Sequence, residues 1–123
     1  MSRLLLVDDD AQLLEFYKLV LEQAGHQVDV AHTCQAAFVI LANTHPEVVV
    51  MDLHVPEMED GLALIRTLAS RKKLAATCPL KVIVTSGWTE DLAPKMERDS
   101  VDRVLAKPVR MEVLLRSIAE LAG

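Results

Sequence analysis

The sequence predicts an α/β domain of the doubly wound kind, with one five-stranded parallel sheet covered by helices on both faces. Two observations lead there. Short apolar runs alternate with longer amphipathic segments five times along the chain, and such a βα repeat places its strands parallel with a helix in each crossover. The runs Leu4-Leu5-Leu6-Val7, Val48-Val49-Val50-Met51 and Val104-Leu105-Ala106 are also apolar at successive positions rather than at alternate ones. That is the pattern of strands buried on both faces. Right-handed crossovers then leave only a few strand orders open.

Each element has its own local reason. After the first strand, Ala11 to Ala24 sets Leu13, Leu14, Tyr17, Leu21 and Ala24 at helical spacing, and Gly25 stops the helix. His26 to Ala31 reads as a brief second strand. Thr33 is placed to cap a helix running to about Asn43, which His45-Pro46 breaks. Glu47 to Met51 is the third strand. A third helix is expected from Gly61 to about Lys73, with Leu62, Ile65, Leu68 and Ala69 on its inner face. Lys81 to Thr85 is the fourth strand, Arg103 to Leu105 the fifth, and Met111 to Leu121 the closing helix. Between the last two strands, Pro94 interrupts Glu90 to Arg98, so the fourth helix is expected to be short or irregular.

No Pro/Gly/Ser linker or low-complexity tract divides the chain, and residues 1–123 read as a single domain. No stretch approaches the roughly 20 apolar residues of a membrane span. Met1-Ser2-Arg3 leads directly into a strand, without the apolar segment of a signal peptide, so a cytoplasmic protein is expected. A net charge of −5 argues against direct nucleic-acid binding. Arg71-Lys72-Lys73 reads as a solvated helix end. Cys34 and Cys78 form no CxxC pattern and are read as reduced thiols, and His26, His32, His45 and His54 lack the spacing of a zinc site.

The chemistry lies at the ends of the apolar runs. Asp8 and Asp9 follow the first, Asp52 the third strand, and Lys107 the fifth. Ligands of open parallel sheets bind beyond the carboxyl ends of the strands. If those strands neighbour one another, three carboxylates and one ammonium converge there. Carboxylates so close repel unless a cation sits among them, so the set asks for a divalent metal and for an anionic group that the lysine can meet. Asp10, next in line, reads as the N-cap of the first helix.

These residues resemble the receiver (CheY-like) domain of two-component response regulators. The resemblance runs from Leu4 to about Leu121 and rests on four motifs in order: Val7-Asp8-Asp9, Asp52-Leu53-His54-Val55-Pro56, Thr85-Ser86-Gly87 and Lys107-Pro108. It implies a flavodoxin-like (βα)5 sheet with Asp52 as phosphoryl acceptor. It further implies Mg²⁺ held by Asp8, Asp9, Asp52 and the backbone carbonyl of His54, with Lys107 on the phosphoryl group. Ser86 matches the switch hydroxyl; Thr85 is adjacent, and Ser86 is preferred because Gly87 completes the family's hydroxyl-then-small pair. The Lys107-Pro108 bond is often cis in this family. A sensor histidine kinase or a histidine-containing phosphotransfer protein would donate the phosphoryl group. The switch would act on a downstream target or C-terminal output domain through the fourth helix, fifth strand and fifth helix, a surface also used for homodimers. The chain would be a signalling domain rather than an enzyme, with self-phosphorylation from small donors and self-dephosphorylation expected. Since it stops after the closing helix, it reads as a stand-alone receiver or as one excised from a longer chain.

Three departures from the family pattern stand out. Val104 occupies the position three before the lysine where an aromatic is usual, with Trp88 as a candidate substitute. Val55 replaces a common methionine, and Glu57-Met58-Glu59-Asp60-Gly61 is one residue longer than the usual loop. Three competing readings remain. One is a haloacid dehalogenase-like phosphatase with Asp8 as nucleophile, from the D-x-D of Asp8 and Asp10. Another is a flavodoxin-like binding module, disfavoured by the acidic pair after the first strand. The third is a degenerate receiver that binds without phosphorylation.

Overall fold

The computed structural model describes residues 2–52, 63–70, 80–86 and 101–122. Five strands form one parallel sheet: β1 (Arg3–Val7), β2 (Gln27–Ala31), β3 (Val48–Asp52), β4 (Lys81–Ser86) and β5 (Arg103–Ala106), in the order β2-β1-β3-β4-β5. The described helices are α1 (Ala11–Gln23), α2 (Cys34–Asn43), α3 (residues 63–70) and the closing α4 (Met111–Ala122). The strand order reverses between β1 and β3, and that switch point is where doubly wound sheets open a crevice.

The continuous apolar runs of β1 and β3 are explained by their central positions. Leu4, Leu5, Leu6 and Val7 are at most 1% exposed, and Val48 to Met51 at most 4%. Alternate residues serve opposite layers. Leu4, Leu6, Val48, Val50 and Ile83 pack against Leu14, Tyr17 and Leu21 of α1 and Leu114 and Ile118 of α4. Leu5, Val7, Val49, Met51, Val82 and Val84 pack against α2 and α3 through Ala37, Leu41, Leu64 and Leu68.

The expected helix signals act as read. Asp10 Oδ1 accepts from the Leu13 N–H at 3.1 Å, and Thr33 Oγ1 from the Ala36 N–H at 3.0 Å. At the end of α1, Gly25 has φ 98° while its N–H donates to Glu22 O and the His26 N–H reaches back to Leu21 O. This paired closure needs a left-handed residue, which glycine adopts without a Cβ penalty. At the start of β5, Asp102 Oδ2 accepts from the Val82 N–H at 2.7 Å and the Asp102 N–H donates to Val82 O at 2.8 Å. The side chain thereby extends the β4–β5 ladder before the strand proper begins.

Two expectations are corrected. The Val104-Leu105-Ala106 run is not buried on both faces: β5 is an edge strand, and Val104 is 38% exposed. Its apolar residues mimic a central strand because one face rests on the core while the other meets water. The condition set for convergence, that the site-bearing strands be neighbours, is met by β1 and β3 alone, because β4 lies between β3 and β5. The third strand also begins and ends one residue later than read, so Asp52 is its final residue and pairs with Thr85. The expected fourth helix, Leu62, His54, the loop 57–61, Cys78 and Trp88 lie outside the described residues.

Candidate functional site

The site is assembled at the C-terminal edge of the sheet. The Asp8 N–H donates to Ala31 O at 3.1 Å, carrying the β1–β2 ladder one step past Val7. Asp8 is then 5% exposed and Asp52, closing β3, 8%. Asp8 Oδ1 accepts from the Asp10 N–H at 3.0 Å, a local turn that orients the carboxylate. Its other oxygen faces Lys107. Asp9 is exposed.

Lys107 joins the two buried carboxylates. Its Nζ donates to Asp52 Oδ2 at 3.0 Å and to Asp8 Oδ2 at 3.3 Å. The residue follows β5 and reaches its partners although β4 separates the strands, and the Lys107-Pro108 bond is cis. Burial by itself would lower the lysine's pKa, but hydrogen bonding and charge from Asp52 and Asp8 outweigh it and raise the pKa above the usual value. The ammonium is therefore firmly charged.

Carboxylate oxygens of Asp8, Asp9 and Asp52 lie within 4.8 Å of one another. Among the described residues, three carboxylates against one ammonium leave two formal negative charges, with Asp8 and Asp52 buried and Asp9 exposed. An all-oxygen donor set of that charge fits a hard divalent cation, so the cluster can hold a metal ion.

Of the expected site residues, the fold thus brings together Asp8, Asp9, Asp52 and Lys107. Ser86 ends β4, one residue beyond the partner of Asp52, with its backbone in register with Ala106. Its rival Thr85 is buried, and the Thr85 hydroxyl donates to Met51 O at 3.4 Å, a long bond that ties it to β3. Asp10 caps α1 through its own carboxylate, which takes the second acid of the Asp8-x-Asp10 pair into a helix terminus.

Tyr17 was not legible as a site neighbour. It reads as a core residue of α1, and it is one, yet Lys107, Asp8 and Asp10 all act electrostatically on its phenol. Its pKa is raised, first by burial and then by the two carboxylates, against the opposing effect of Lys107. The signal available in the sequence was its helical spacing from Asp10, two turns along the inner face.

A parallel five-stranded sheet bearing an acidic cluster and a lysine at its switch point defines a class of phosphoryl-handling α/β domains. The family described as the response regulator receiver domain matches residues 4–119. The chain belongs to that family and is a receiver domain of two-component signalling, which gives the phosphatase reading no support. It is 32% identical to the virulence transcriptional regulatory protein PhoP of Salmonella typhimurium, over all of this chain and 56% of that protein. With the transcriptional regulatory protein PhoP of Escherichia coli it shares 32% identity over 98% of this chain and 55% of the relative. The chain therefore spans about half the length of these curated relatives. Among solved structures, a signal receiver domain from Bermanella marisrubri superimposes with a TM-score of 0.84 at 31% identity, covering 100% of both chains. The Francisella response regulator 1452 receiver domain gives 0.82 at 27% identity, covering 99% of this chain and 97% of its own.

Proposed function

We propose that this domain accepts a phosphoryl group on Asp52 in a Mg²⁺-dependent reaction and uses the resulting acyl phosphate as a binding switch. The observation that carries this reading is Lys107 Nζ bonded to both Asp52 and Asp8, with Asp9 completing the acidic cluster.

An Asp52 carboxylate oxygen attacks phosphorus and forms the new P–O bond as the bond from phosphorus to the donor breaks. The donor, a phosphohistidine imidazole of a sensor kinase or phosphotransfer protein or a small acyl phosphate, leaves with the bonding electron pair. Phosphoryl transfer is governed by placing charge around the equatorial oxygens. Lys107 supplies one such charge. Asp8, Asp9 and Asp52, together with the carbonyl of His54, would hold Mg²⁺, which neutralises phosphoryl oxygens when bound. Water later cleaves the acyl phosphate, returning the carboxylate and inorganic phosphate. Ser86 donates to a phosphoryl oxygen in the phosphorylated state, a role favoured by the tie between Thr85 and Met51.

The switch acts on the surface around β5 and α4, where Val104 is exposed. Its target is a downstream protein, a second copy, or an output domain of the same polypeptide. Residues 1–123 form one domain, working in the cytoplasm without direct nucleic-acid contact. No helix among the described residues is long and apolar enough to cross a membrane.

The test is intact mass after incubation with acetyl phosphate and Mg²⁺, with Asp52→Asn alongside. One added phosphoryl group, lost without Mg²⁺ and in the variant, is expected. No uptake under any condition would leave a receiver that acts by binding alone. Uptake that survives in Asp52→Asn would transfer the acceptor role to Asp8.

A further inference from the structure

β5 is held by less than any other strand of the sheet. It lies at the edge and pairs with β4 alone. Of the five strands it is also the one without a buried residue, since Arg103 to Ala106 alternate between half-buried and exposed. Register is strongly specified where one face of a strand is buried and weakly where it is not. Leu105 packs only partly against the core layer, and the exposed Arg103–Glu120 ion pair at 3.2 Å contributes little. Yet Lys107, the residue after β5, is closely placed, with Nζ at 3.0 Å from Asp52 Oδ2 and 3.3 Å from Asp8 Oδ2. A one-residue slip of β5 along β4 would carry Lys107 about 3.3 Å and turn it to the opposite face, and a two-residue slip would carry it about 6.6 Å. Either would break both contacts.

The entry to the strand supplies the constraint. Asp102 takes both polar groups of one β4 residue: its N–H donates to Val82 O at 2.8 Å, and its Oδ2 accepts from the Val82 N–H at 2.7 Å. A short carboxylate does here what a strand carbonyl does elsewhere in the ladder. Val82 is 0% exposed, so a shifted β5 would have to satisfy that N–H from another group or leave it unpaired, at a cost. The two bonds accompany the observed pairing of Ile83 with Arg103, the next step of the same ladder. We propose that Asp102 is a positioning residue for Lys107: it fixes the β4–β5 register at the far end of the strand and thereby sets where the ammonium stands over Asp52. Asp102 itself touches no reacting atom. The assignment rests on the reading of Asp52 as acceptor and Lys107 as its cation.

A double-mutant cycle separates this role from a purely structural one. The initial rate of Asp52 phosphorylation by acetyl phosphate at saturating Mg²⁺ is measured for the unaltered chain, Asp102→Ala, Lys107→Ala and the two combined. Asp102→Asn and Gly25→Ala are run beside them, the latter as a destabilised control at the end of α1. All are assayed at a temperature where thermal unfolding shows each variant folded. Alanine at 102 should slow the reaction about tenfold, on the scale of a misplaced catalytic group. Asparagine keeps an acceptor oxygen at the same reach and should restore most of the rate, while Gly25→Ala should leave it unchanged. In the Lys107→Ala background, Asp102→Ala should slow it no further. If the alanine variant does not fold, Asp102→Glu, whose extra methylene displaces the carboxylate, takes its place in the cycle. No slowing, slowing that asparagine leaves in full, slowing matched by Gly25→Ala, or equal slowing in both Lys107 backgrounds would each overturn the proposal. If the unaltered chain takes up no phosphoryl group, the reading of Asp52 fails instead. The Lys107 Nζ and Cε NMR resonances of the Asp102 variant then decide: averaging toward free-lysine shifts supports the positioning role, and unchanged shifts refute it.

Discussion

Replacing Lys107 by methionine removes the ammonium that, among the described residues, is hydrogen-bonded to two carboxylates which the fold has nearly stripped of water. The side chains of Asp8 and Asp52 are 7% and 10% exposed, at 3.3 and 3.0 Å from the ammonium. At the effective dielectric constant of about 20 that suits such pairs, each contact amounts to about 5 kcal/mol of gross Coulomb attraction. Most of that is offset by desolvating the ammonium, and the lysine's 32% exposure screens it further. Breaking the pair leaves two like charges buried together, and the expected net loss is about 2–3 kcal/mol, below the range for fully buried pairs. Methionine has similar length, so the loss is electrostatic rather than a cavity. Urea unfolding without divalent ions should show a lower midpoint at unchanged slope. Mg²⁺ at a hundred times its dissociation constant should return about 2.7 kcal/mol, and it should bind the variant more tightly because the competing ammonium is gone. A variant as stable as the unaltered chain in metal-free buffer would refute the reasoning. So would Mg²⁺ that binds both proteins with the same affinity.

Other positions give sharper single-cause tests. Asp102→Ala leaves the buried Val82 N–H without the carboxylate it donates to at 2.7 Å; a loss of about 1–3 kcal/mol is expected in urea titration. Gly25 has φ 98°, and a Cβ added there would meet nothing within 4 Å. Gly25→Ala should therefore cost about 1 kcal/mol of backbone strain alone, read as a lower unfolding midpoint. His26 Nδ1 accepts from the Ser2 N–H at 3.3 Å, and burial first, then the positive charge at the chain start, hold its pKa below the usual 6.5. A depressed histidine pKa favours the neutral form in the folded state. Its contribution is therefore complete above about pH 6.5 and is lost as the pH falls through the lower folded value. Unfolding midpoints measured from about pH 7.5 down to about pH 5, across the range in which histidine titrates, should decline less steeply in His26→Gln than in the unaltered chain.

Much of the architecture was legible because its causes are local. Apolar runs at Leu4–Val7 and Val48–Met51 announced buried strands, and Asp10, Thr33 and Gly25 announced helix ends through their own backbone chemistry. Candidate site residues were legible for a related reason: in a parallel sheet every strand points its carboxyl end to the same edge, so charges at those ends converge without any knowledge of packing. Val104 shows where this reasoning stopped. Four residues of β5 cannot reveal whether a neighbour lies on both sides or one, since an edge strand with a half-covered face carries the same apolar letters.

The sequence by itself thus determined the fold class, the polarity of the sheet and the identity of the acidic cluster and its lysine. Only the tertiary structure decided that β5 lies at the edge beyond β4 and that Lys107 nonetheless reaches Asp8 and Asp52. Those facts depend on strand order and on which helix covers which face, and both follow from contacts between segments as far apart in sequence as Asp8 and Lys107.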